Sequence, residues 1–452
     1  MKEFKFLQTD FYQISMGFAY IINGLNKQKT GFEGFVRHIK NAVNPNHNFY
    51  IFDGETEIKE YIETIKLELK DPELLEAFIT LIEPKITAPN KDELIALFRE
   101  NWKTIDTDFE YSVIPNGTMV FPLTPVFQYN GDKFIGQMIE TYVTNTYNGK
   151  TGLATLKYLR DNGYETFIND EEFNFLDGLM NGELNALTTY ARILDDTAKD
   201  FRYATDKILL EAAFRRAPSF LTAKMASESA LLNGWDGTSN TSIVLNGRFP
   251  MNKINGTMAH SWVMSFPTEE EAFIAWDRIF PGTTFLIDTY DVVNAAKLIK
   301  RLILEGKITK PKDLRIDSDP IEEYAFEVRK IFDEMGIYLS GDMEPEKFKH
   351  FEFLGVPYTK AMAGTKYCYS SMIVEKLNCG FVYKIVEYTN SNGEVIRPEK
   401  KANGKKNYSG LKHIKFIEET NTLEVYMGDK CIGFDPNITK TNINTTVNFI
   451  EL

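Results

Sequence analysis

The chain has 452 residues, of which 43% are hydrophobic and 25% charged, and its formal net charge is −13. This length exceeds one ordinary compact core and predicts two or three domains, or one barrel with additions. The acidic balance argues against a nucleic-acid partner, since contacts with phosphates need a basic surface.

The opening segment carries charged residues where a signal peptide needs an apolar core, and no apolar run is long enough to span a bilayer. The cysteines Cys368, Cys379 and Cys431 lack the paired spacing of a zinc site, so we expect reduced thiols. Both observations predict a cytoplasmic protein without a membrane partner.

The first part of the chain has the pattern of a mixed α/β domain. Runs rich in aromatic and β-branched residues predict strands at 29–39, 48–54, 109–121 and 125–131, and residues 56–69 have helical spacing.

A strand-rich region near the other end of the chain has the same character. Residues 380–396 have the form of a hairpin with an Asn-Gly turn. We therefore expect one mixed α/β domain built from both chain ends, residues 1–145 and 379–452, and a second domain over residues 146–378.

The second half of the chain alternates between helical and strand-like segments. Helices are predicted at 267–280, 292–306 and 321–336, and the last two end in glycines that can cap a helix. A short helix is predicted within 344–355, and the strands are predicted at 284–290, 314–319, 337–342 and 358–365. This alternation is typical of the parallel β-α units of a β/α barrel.

Polar or small residues stand at the end of each candidate strand. In chain order they are His260, Asp288 with Thr289, Arg315 with Asp317 and Ser318, Ser340-Gly341-Asp342, and Gly364-Thr365. Any strand leaving a core ends in polar turn residues, but here the pattern recurs over five units. Because the carboxyl ends of barrel strands converge on one face, we expect these residues to meet where a substrate binds.

Two adjacent arginines, Arg215 and Arg216, precede a segment rich in Ala and Leu. They could form a salt-bridged surface pair, or their planar guanidinium groups could clamp a carboxylate or phosphate. Composition leaves both interpretations open.

Ten short motifs give a more specific indication. They are TDFYQISM (9–16), GFVRHI (34–39), QMIET (137–141), RRA (215–217), GWDGTSN (234–240), GTMAHSW (256–262), LIDTYD (286–291), LRIDS (314–318), SGD (340–342) and VYKIVEY (382–388). In order and approximate spacing they resemble the nicotinate phosphoribosyltransferase family.

That resemblance implies an irregular β/α barrel beside the mixed domain, and a homodimer with active sites at the subunit interface. It implies the joining of nicotinate and 5-phosphoribosyl 1-diphosphate to give nicotinate mononucleotide and pyrophosphate, with ATP as co-substrate and Mg²⁺ as cofactor. His260, in GTMAHSW, would be the residue that ATP phosphorylates. Its small neighbours leave room for a phosphoryl group.

The resemblance also implies roles for other residues at the rim. Asp288 and Asp317 would hold the ribose hydroxyls or the magnesium-bound diphosphate, and which acid binds the metal stays open. Arg216 and Arg315 would face the pyridine carboxylate and the phosphates. Tyr12 would reach across the dimer to stack on the nicotinate ring.

Glycines are expected where backbone must approach a phosphate closely. Gly341, and Gly364 with Thr365, would let backbone N–H groups hold the 5′-phosphate. Thr238 and Ser239 are also expected to contact the substrate. Related nicotinamide-using enzymes carry an aspartate where Ser239 stands, so the resemblance implies nicotinate as the preferred substrate.

Two features depart from the family pattern. Asp319 stands where the family has a glycine, and the stretch 151–205 is longer than expected.

Other functions stay open. The alternatives are a nicotinamide-using activity, a glycoside-cleaving barrel with Asp288 and Asp317 as acid and base, and a homologue that binds phosphoribosyl ligands without turnover.

Overall fold

The computed structural model describes residues 2–39, 47–166, 168–398, 408–428 and 432–451, so Cys431 lies outside the described residues. Its strands are β1 (Lys29–Val36), β2 (Tyr50–Ile51), β3 (Glu110–Val113), β4 (Met119–Val120), β5 (Pro125–Asp132), β6 (Ile208–Glu211), β7 (Gly237–Thr238), β8 (Phe285–Leu286), β9 (Asp313–Ile316), β10 (Gly336–Leu339), β11 (Lys360–Ala363), β12 (Phe381–Thr389), β13 (Val395–Ile396), β14 (Lys412–Ile417), β15 (Thr422–Met427), β16 (Gly433–Phe434) and β17 (Thr446–Glu451).

The α-helices are α1 (Phe11–Ile22), α2 (Glu55–Glu68), α3 (Pro72–Ile82), α4 (Lys91–Trp102), α5 (Lys133–Met138), α6 (Glu140–Asp161), α7 (Asp170–Asn181), α8 (Leu184–Ala204), α9 (Phe220–Leu232), α10 (Ser242–Leu245), α11 (His260–Val263), α12 (Glu269–Asp277), α13 (Val292–Leu304), α14 (Ile321–Ile331), α15 (Pro345–Leu354) and α16 (Thr365–Cys368). No helix among the described residues combines the length and the apolar character needed to cross a membrane.

The barrel is built from six parallel strands in the order β7-β6-β11-β10-β9-β8. Its last strand, β11, pairs with its first, β6, so the sheet closes on that side. A single bridge from Thr238 to Ile254 extends the other edge, and the ring stays open between Ile254 and β8. The prediction of an irregular β/α barrel is therefore confirmed.

Helix α1 packs into this opening from the N-terminal part of the chain. A Cβ at Gly256 would lie 2.6 Å from the backbone nitrogen of Tyr12, so the two backbones touch without an intervening side chain. Tyr20 and Trp262 stack at 5.5 Å between ring centroids, and Phe18 lies 6.4 Å from Phe280. The gap in the barrel is thus filled by a helix from the other part of the molecule.

The mixed domain is centred on a five-stranded sheet in the order β13-β12-β1-β5-β3. β12 comes from the C-terminal part of the chain and pairs antiparallel with β1 from the N-terminal part. The β12–β13 hairpin forms as predicted, with Gly393 at φ +80° in its turn. Both ends of the chain therefore contribute to one sheet, as expected.

A second C-terminal sheet was not foreseen. Strands β14 to β17 form their own four-stranded sheet in the order β16-β14-β15-β17. An ion pair connects this sheet to β1 of the mixed domain: Nζ of Lys412 lies 2.5 Å from Oε2 of Glu33, and each side chain is only 1% exposed. Burial raises the pKa of Glu33 to about 7, although the charge of Lys412 opposes this.

One predicted helix end is wrong. The glycine at Gly336 was expected to cap the helix from residue 321, but α14 ends at Ile331 and Gly336 begins β10 instead. A Cβ there would lie 2.2 Å from Oδ1 of Asp313 on the neighbouring strand, so this glycine serves strand packing. At the preceding unit the prediction is confirmed, since Gly306 follows α13 with φ +66°.

The long stretch 151–205 forms the end of α6 and all of α7 and α8. It packs on the outside of the barrel: Tyr190 donates to the carbonyl of Cys368 at 2.8 Å, and the indole of Trp235 donates to Ala198 at 3.0 Å. The predicted domain boundary at residue 145 falls inside helix α6. Both domain boundaries, at 145 and at 378, stay predictions.

Candidate active site

A cavity of about 390 Å³ lies at the carboxyl ends of the barrel strands. A volume of this size is typical of sites for small molecules. Of the residues predicted from the sequence, those that line it are Tyr12, Arg216, Ser239, His260, Arg315, Asp317, Gly341, Gly364 and Thr365. Thr238 and Asp288 lie behind this lining. The expected convergence at one rim is thus observed, whereas the role of each residue stays a prediction.

His260 stands between two carboxylates at the opening of the barrel. Its Nε2 lies 3.9 Å from Oδ1 of Asp288 and 3.8 Å from Oδ2 of Asp317, and its side chain is 14% exposed. Its Nδ1 lies 3.1 Å from the hydroxyl of Thr289. When Nδ1 carries the proton and donates to Thr289, the lone pair of Nε2 points between the acids.

Hydrogen bonds from the next two strand ends hold these acids. The hydroxyl of Ser318 donates to Oδ2 of Asp288, and that of Ser340 donates to Oδ1 of Asp317 at 2.6 Å. Asp288 is only 4% exposed and lies behind the cavity wall, where its negative charge is close to the imidazole of His260. Serines beyond β9 and β10 thereby fix carboxylates that belong to β8 and β9.

The arginine pair occupies a loop braced by helix α6. Asn145 donates to the carbonyls of Phe214 and Ala217 at 2.7 and 3.1 Å. A Cβ at Gly149 would lie 2.0 Å from the carbonyl oxygen of Pro218, so the loop rests directly on the helix backbone. This close contact positions both arginines beside the cavity.

The two guanidinium groups have different surroundings. Burial lowers the pKa of Arg215, but the nearby acidic groups Tyr12, Glu140 and Asp10 raise it more, so the net shift is upward. Burial and then the charge of Arg215 lower the pKa of Arg216 to about 10. Arg216 also donates to the carbonyl of Phe381 at 2.9 Å, which ties the barrel to β12. Neither arginine belongs to a simple surface pair.

Arg315 projects from β9 into the cavity wall. Its guanidinium donates to the hydroxyl of Thr257, just before the His260 helix, and it is 8% exposed. A buried cation in a cavity wall favours an anionic ligand.

Ser239 meets a carboxylate that sequence reasoning did not single out. Its hydroxyl donates to Oδ1 of Asp10 at 2.5 Å, and Thr141 donates to Oδ2 at 2.9 Å. Burial raises the pKa of Asp10, against the opposing effects of Ser239 and Arg215. Thr238 is fully buried and donates to Glu211, so its side chain supports the wall and does not face the cavity.

The two predicted glycines differ in what they do. Gly341 has φ +99° and a Cβ there would lie 3.2 Å from the carbonyl of Asp317, so a side chain would be strained. Gly364 lets β11 approach β6, because a Cβ would lie 2.5 Å from the carbonyl of Ala212. Thr365 begins the short helix α16.

Asp319 does not disturb this loop as its position in the sequence suggested. The described non-glycine residues with positive φ are Leu123, Asp342 and Asn421, so Asp319 does not need the left-handed conformation that a glycine would favour. Its side chain is 80% exposed and lies 3.4 Å from Nζ of Lys347.

Tyr12 lines the cavity of its own chain together with Arg215 and Ser239. The close packing of α1 on Gly256 in the barrel gap places it there. The reach of Tyr12 across a dimer stays a prediction. Burial, and then the Glu140 carboxylate, raise the pKa of Tyr12 well above its usual range.

Asp342, predicted at the end of its strand, also lines the cavity. Several other polar residues in the lining were not predicted from the sequence, among them Asp10, Arg37, Gln137, Glu140 and Ser261. These five lie inside the motifs that carried the resemblance, and that position is the signal that could have found them. Within the described ranges, no group of three or more His, Cys, Asp or Glu side chains is arranged to hold a metal ion.

Comparison with known proteins gives relatives of one name. No protein-family model matches the chain. It is 25% identical over 406 residues to nicotinate phosphoribosyltransferase of Caenorhabditis elegans, covering 75% of this chain and 62% of that protein. It is 25% identical over 391 residues to the Bacillus subtilis (strain 168) protein of that name, covering 84% and 66%. The matches therefore span less than two thirds of the length of these relatives.

Solved structures share the fold. Nicotinate phosphoribosyltransferase from Porphyromonas gingivalis superposes with a TM-score of 0.56 over 89% of this chain and 96% of that one, at 16% identity. The Vibrio cholerae structure of that name gives 0.54 over 88% of each chain, at 14% identity. These sequence relatives share the name nicotinate phosphoribosyltransferase, and the solved structures of that name show that this chain has the same fold.

Proposed function

We propose that the protein is an ATP-dependent nicotinate phosphoribosyltransferase. It joins nicotinate to 5-phosphoribosyl 1-diphosphate and releases pyrophosphate, a reaction of NAD salvage. The observation that carries this proposal is the placement of His260 within 3.9 Å of both Asp288 and Asp317, in a cavity that arginines also line.

The imidazole is suited to accept a phosphoryl group from ATP. Its Nε2 forms a bond to the γ-phosphorus as the bond from that phosphorus to the β–γ bridging oxygen breaks, and ADP leaves. In this step Nδ1 carries the proton and donates to the hydroxyl of Thr289, 3.1 Å away, which leaves the lone pair of Nε2 as the nucleophile. Water later cleaves the phosphorus–nitrogen bond, and this returns His260 to its starting state.

The glycosyl transfer depends mainly on positioning and charge. The ring nitrogen of nicotinate forms a bond to C1 of the ribose while the bond from C1 to the pyrophosphate oxygen breaks. Positive charge develops on the sugar, which the Asp317 carboxylate stabilises, and Arg215 and Arg315 face the anionic groups. Gly341 allows backbone to approach the phosphate.

The acids also fit a role for Mg²⁺. Asp288 and Asp317 are hard oxygen donors that both lie near Nε2 of His260, and magnesium is often held by one or two carboxylates together with substrate phosphates. When bound, the ion neutralises phosphate charge and orients the leaving group.

Assembly and location are part of the same proposal. The resemblance in sequence favours a homodimer. A cytoplasmic location is the other part of the proposal, carried over from the sequence.

The test is pyrophosphate release by the purified protein from 5-phosphoribosyl 1-diphosphate. We expect release that depends on nicotinate and is stimulated by ATP. Release without nicotinate, or none at all, would contradict the proposal. Hydrolysis of a glycoside, or ligand binding without turnover, would favour the alternatives.

Substrate preference gives a prediction at Ser239. Replacing Ser239 with aspartate is expected to lower the ratio of kcat/KM for nicotinate over nicotinamide by about tenfold or more, because a carboxylate accepts from an amide and repels an acid. Asp10 lies 2.5 Å from the Ser239 hydroxyl, so the two acids would share one proton, and the fall in the ratio should be larger at higher pH, where the added carboxyl group is ionised. Kinetics with both substrates across pH would measure this.

Ser239→Ala is the matched control, since it removes the same hydroxyl without adding charge. Its ratio should stay close to that of the wild type. Equal turnover of both substrates by the wild type, or an unchanged ratio in Ser239→Asp, would refute the assignment of Ser239.

A further inference from the structure

A run of hydrogen-bonded side chains forms part of the cavity wall and extends behind it to Gln13. Ser261, next to His260, donates to Oε1 of Gln137 at 2.6 Å. Nε2 of Gln137 donates to Oε1 of Gln13 at 2.7 Å and to Oε2 of Glu140 at 3.0 Å. Gln13 donates to the same Glu140 oxygen at 2.7 Å. The run therefore connects the His260 turn to one carboxylate.

The other oxygen of this carboxylate faces the arginine loop. Oε1 of Glu140 lies 3.8 Å from Nη1 of Arg215, and Tyr12 is also hydrogen-bonded to Glu140. Glu140 thus stands between two parts of the cavity lining that are distant in sequence.

The polar side chains of this run are buried, so each needs a defined hydrogen-bond partner. Glu140 is 7% exposed, and Gln13 and Gln137 are at most 1% exposed. A buried carboxylate is costly unless hydrogen bonds and a positive charge compensate it, and the two glutamines with Arg215 supply both. Since Gln137 uses its oxygen toward Ser261 and its nitrogen toward Glu140, its amide can satisfy both partners in only one orientation.

We propose that Glu140 is a positioning residue for the proposed transferase reaction, on which this inference rests. Its carboxylate holds Arg215 toward the cavity and, through Gln137, fixes the Ser261–His260 turn. The anion-binding arginine and the imidazole thereby keep a constant relation to each other. Glu140 acts through Arg215 and Gln137, without a direct step in the reaction.

The test is Glu140→Gln, which keeps the size of the side chain and removes its charge. We expect the KM for nicotinate to rise about tenfold or more, because hydrogen bonds to charged groups are among the strong ones, while kcat changes much less. In an Arg215→Lys background the same substitution should have a clearly smaller effect, since coupled residues are not additive. The reaction is followed by pyrophosphate release.

The matched control is Glu57→Gln, which removes a carboxylate that pairs with Lys150 of α6 at the surface, 2.5 Å away. It should leave the KM unchanged. If Glu140→Gln cannot be purified in a folded state, Glu140→Asp is used instead. It keeps the negative charge but places the carboxylate farther from Arg215 and Gln137, and we expect a smaller rise in KM. An active wild type with an unchanged KM in the Glu140 variants, or independent effects of Glu140 and Arg215, would overturn this inference alone. A wild type without nicotinate-dependent release would instead overturn the proposed function.

Discussion

Replacing His260 with alanine is expected to abolish the phosphoryl adduct that ATP forms on the protein. Nε2 of His260 lies 3.9 Å from Asp288 and 3.8 Å from Asp317, and the variant leaves no imidazole nucleophile at that point. ATP should then no longer stimulate pyrophosphate release. If coupling between ATP and the other substrates has the usual size of about 1–3 kcal/mol, their KM in the presence of ATP rises by about 5–150-fold.

Mass spectrometry of the intact protein at neutral pH measures the adduct, since a phosphorus–nitrogen bond is labile in acid. His350→Ala is the matched control, because His350 is exposed on α15, on the outside of the barrel. It should keep both the adduct and the stimulation by ATP. An adduct of equal yield in His260→Ala would place the phosphoryl acceptor elsewhere.

The sequence predicts those parts of the fold that depend on local pattern. The periodicity of α13 and the apolar runs of β9 to β11 specify the β-α units, because burial of one face imposes a repeat on each element. The rim was predictable in part for the same reason: Asp288 and Asp317 each follow a barrel strand, and parallel strands bring their ends together. His260 follows only the single bridge at Ile254, at the open side of the barrel.

Features that depend on contacts between distant segments were not predictable in this way. The pairing of β11 with β6 and the entry of α1 into the barrel gap join segments far apart in sequence. Gly336 has the sequence context of a helix cap, but the close approach of Asp313 decides its role. The buried ion pair between Lys412 and Glu33, which joins the C-terminal sheet to β1, likewise links residues far apart in sequence.

Within the site, the hydrogen-bonded network of Gln13, Gln137 and Glu140 was not predictable for the same reason. Gln13, Gln137 and Glu140 lie on helices, where an isolated polar residue is more often on the solvated face. Their mutual hydrogen bonds and the positive charge of the nearby Arg215 offset the free-energy cost of burying these polar groups. A single sequence shows the residue types but not these partners.

The second large effect is expected at Asp317. Asp317→Asn keeps the shape of the side chain, and its amide oxygen can still accept from Ser340, so stability should change by less than about 1 kcal/mol. The negative charge 3.8 Å from His260 is lost, and with it the stabilisation of positive charge on the sugar. We expect kcat to fall by about 10²–10³-fold, the usual cost of removing one preorganised electrostatic group. Steady-state pyrophosphate release, with thermal unfolding in parallel, measures both quantities.

Asp319→Asn provides the matched control, two residues further along the same loop. That carboxylate is 80% exposed beside Lys347, and water and salt screen its charge from the cavity. Its kcat should stay within about twofold of the wild type, because an exposed ion pair contributes little. Equal losses in the two variants would mean that the net charge of the loop matters and that the place of Asp317 beside His260 does not. A loss confined to Asp317→Asn would tie the chemistry to the carboxylate that faces the imidazole.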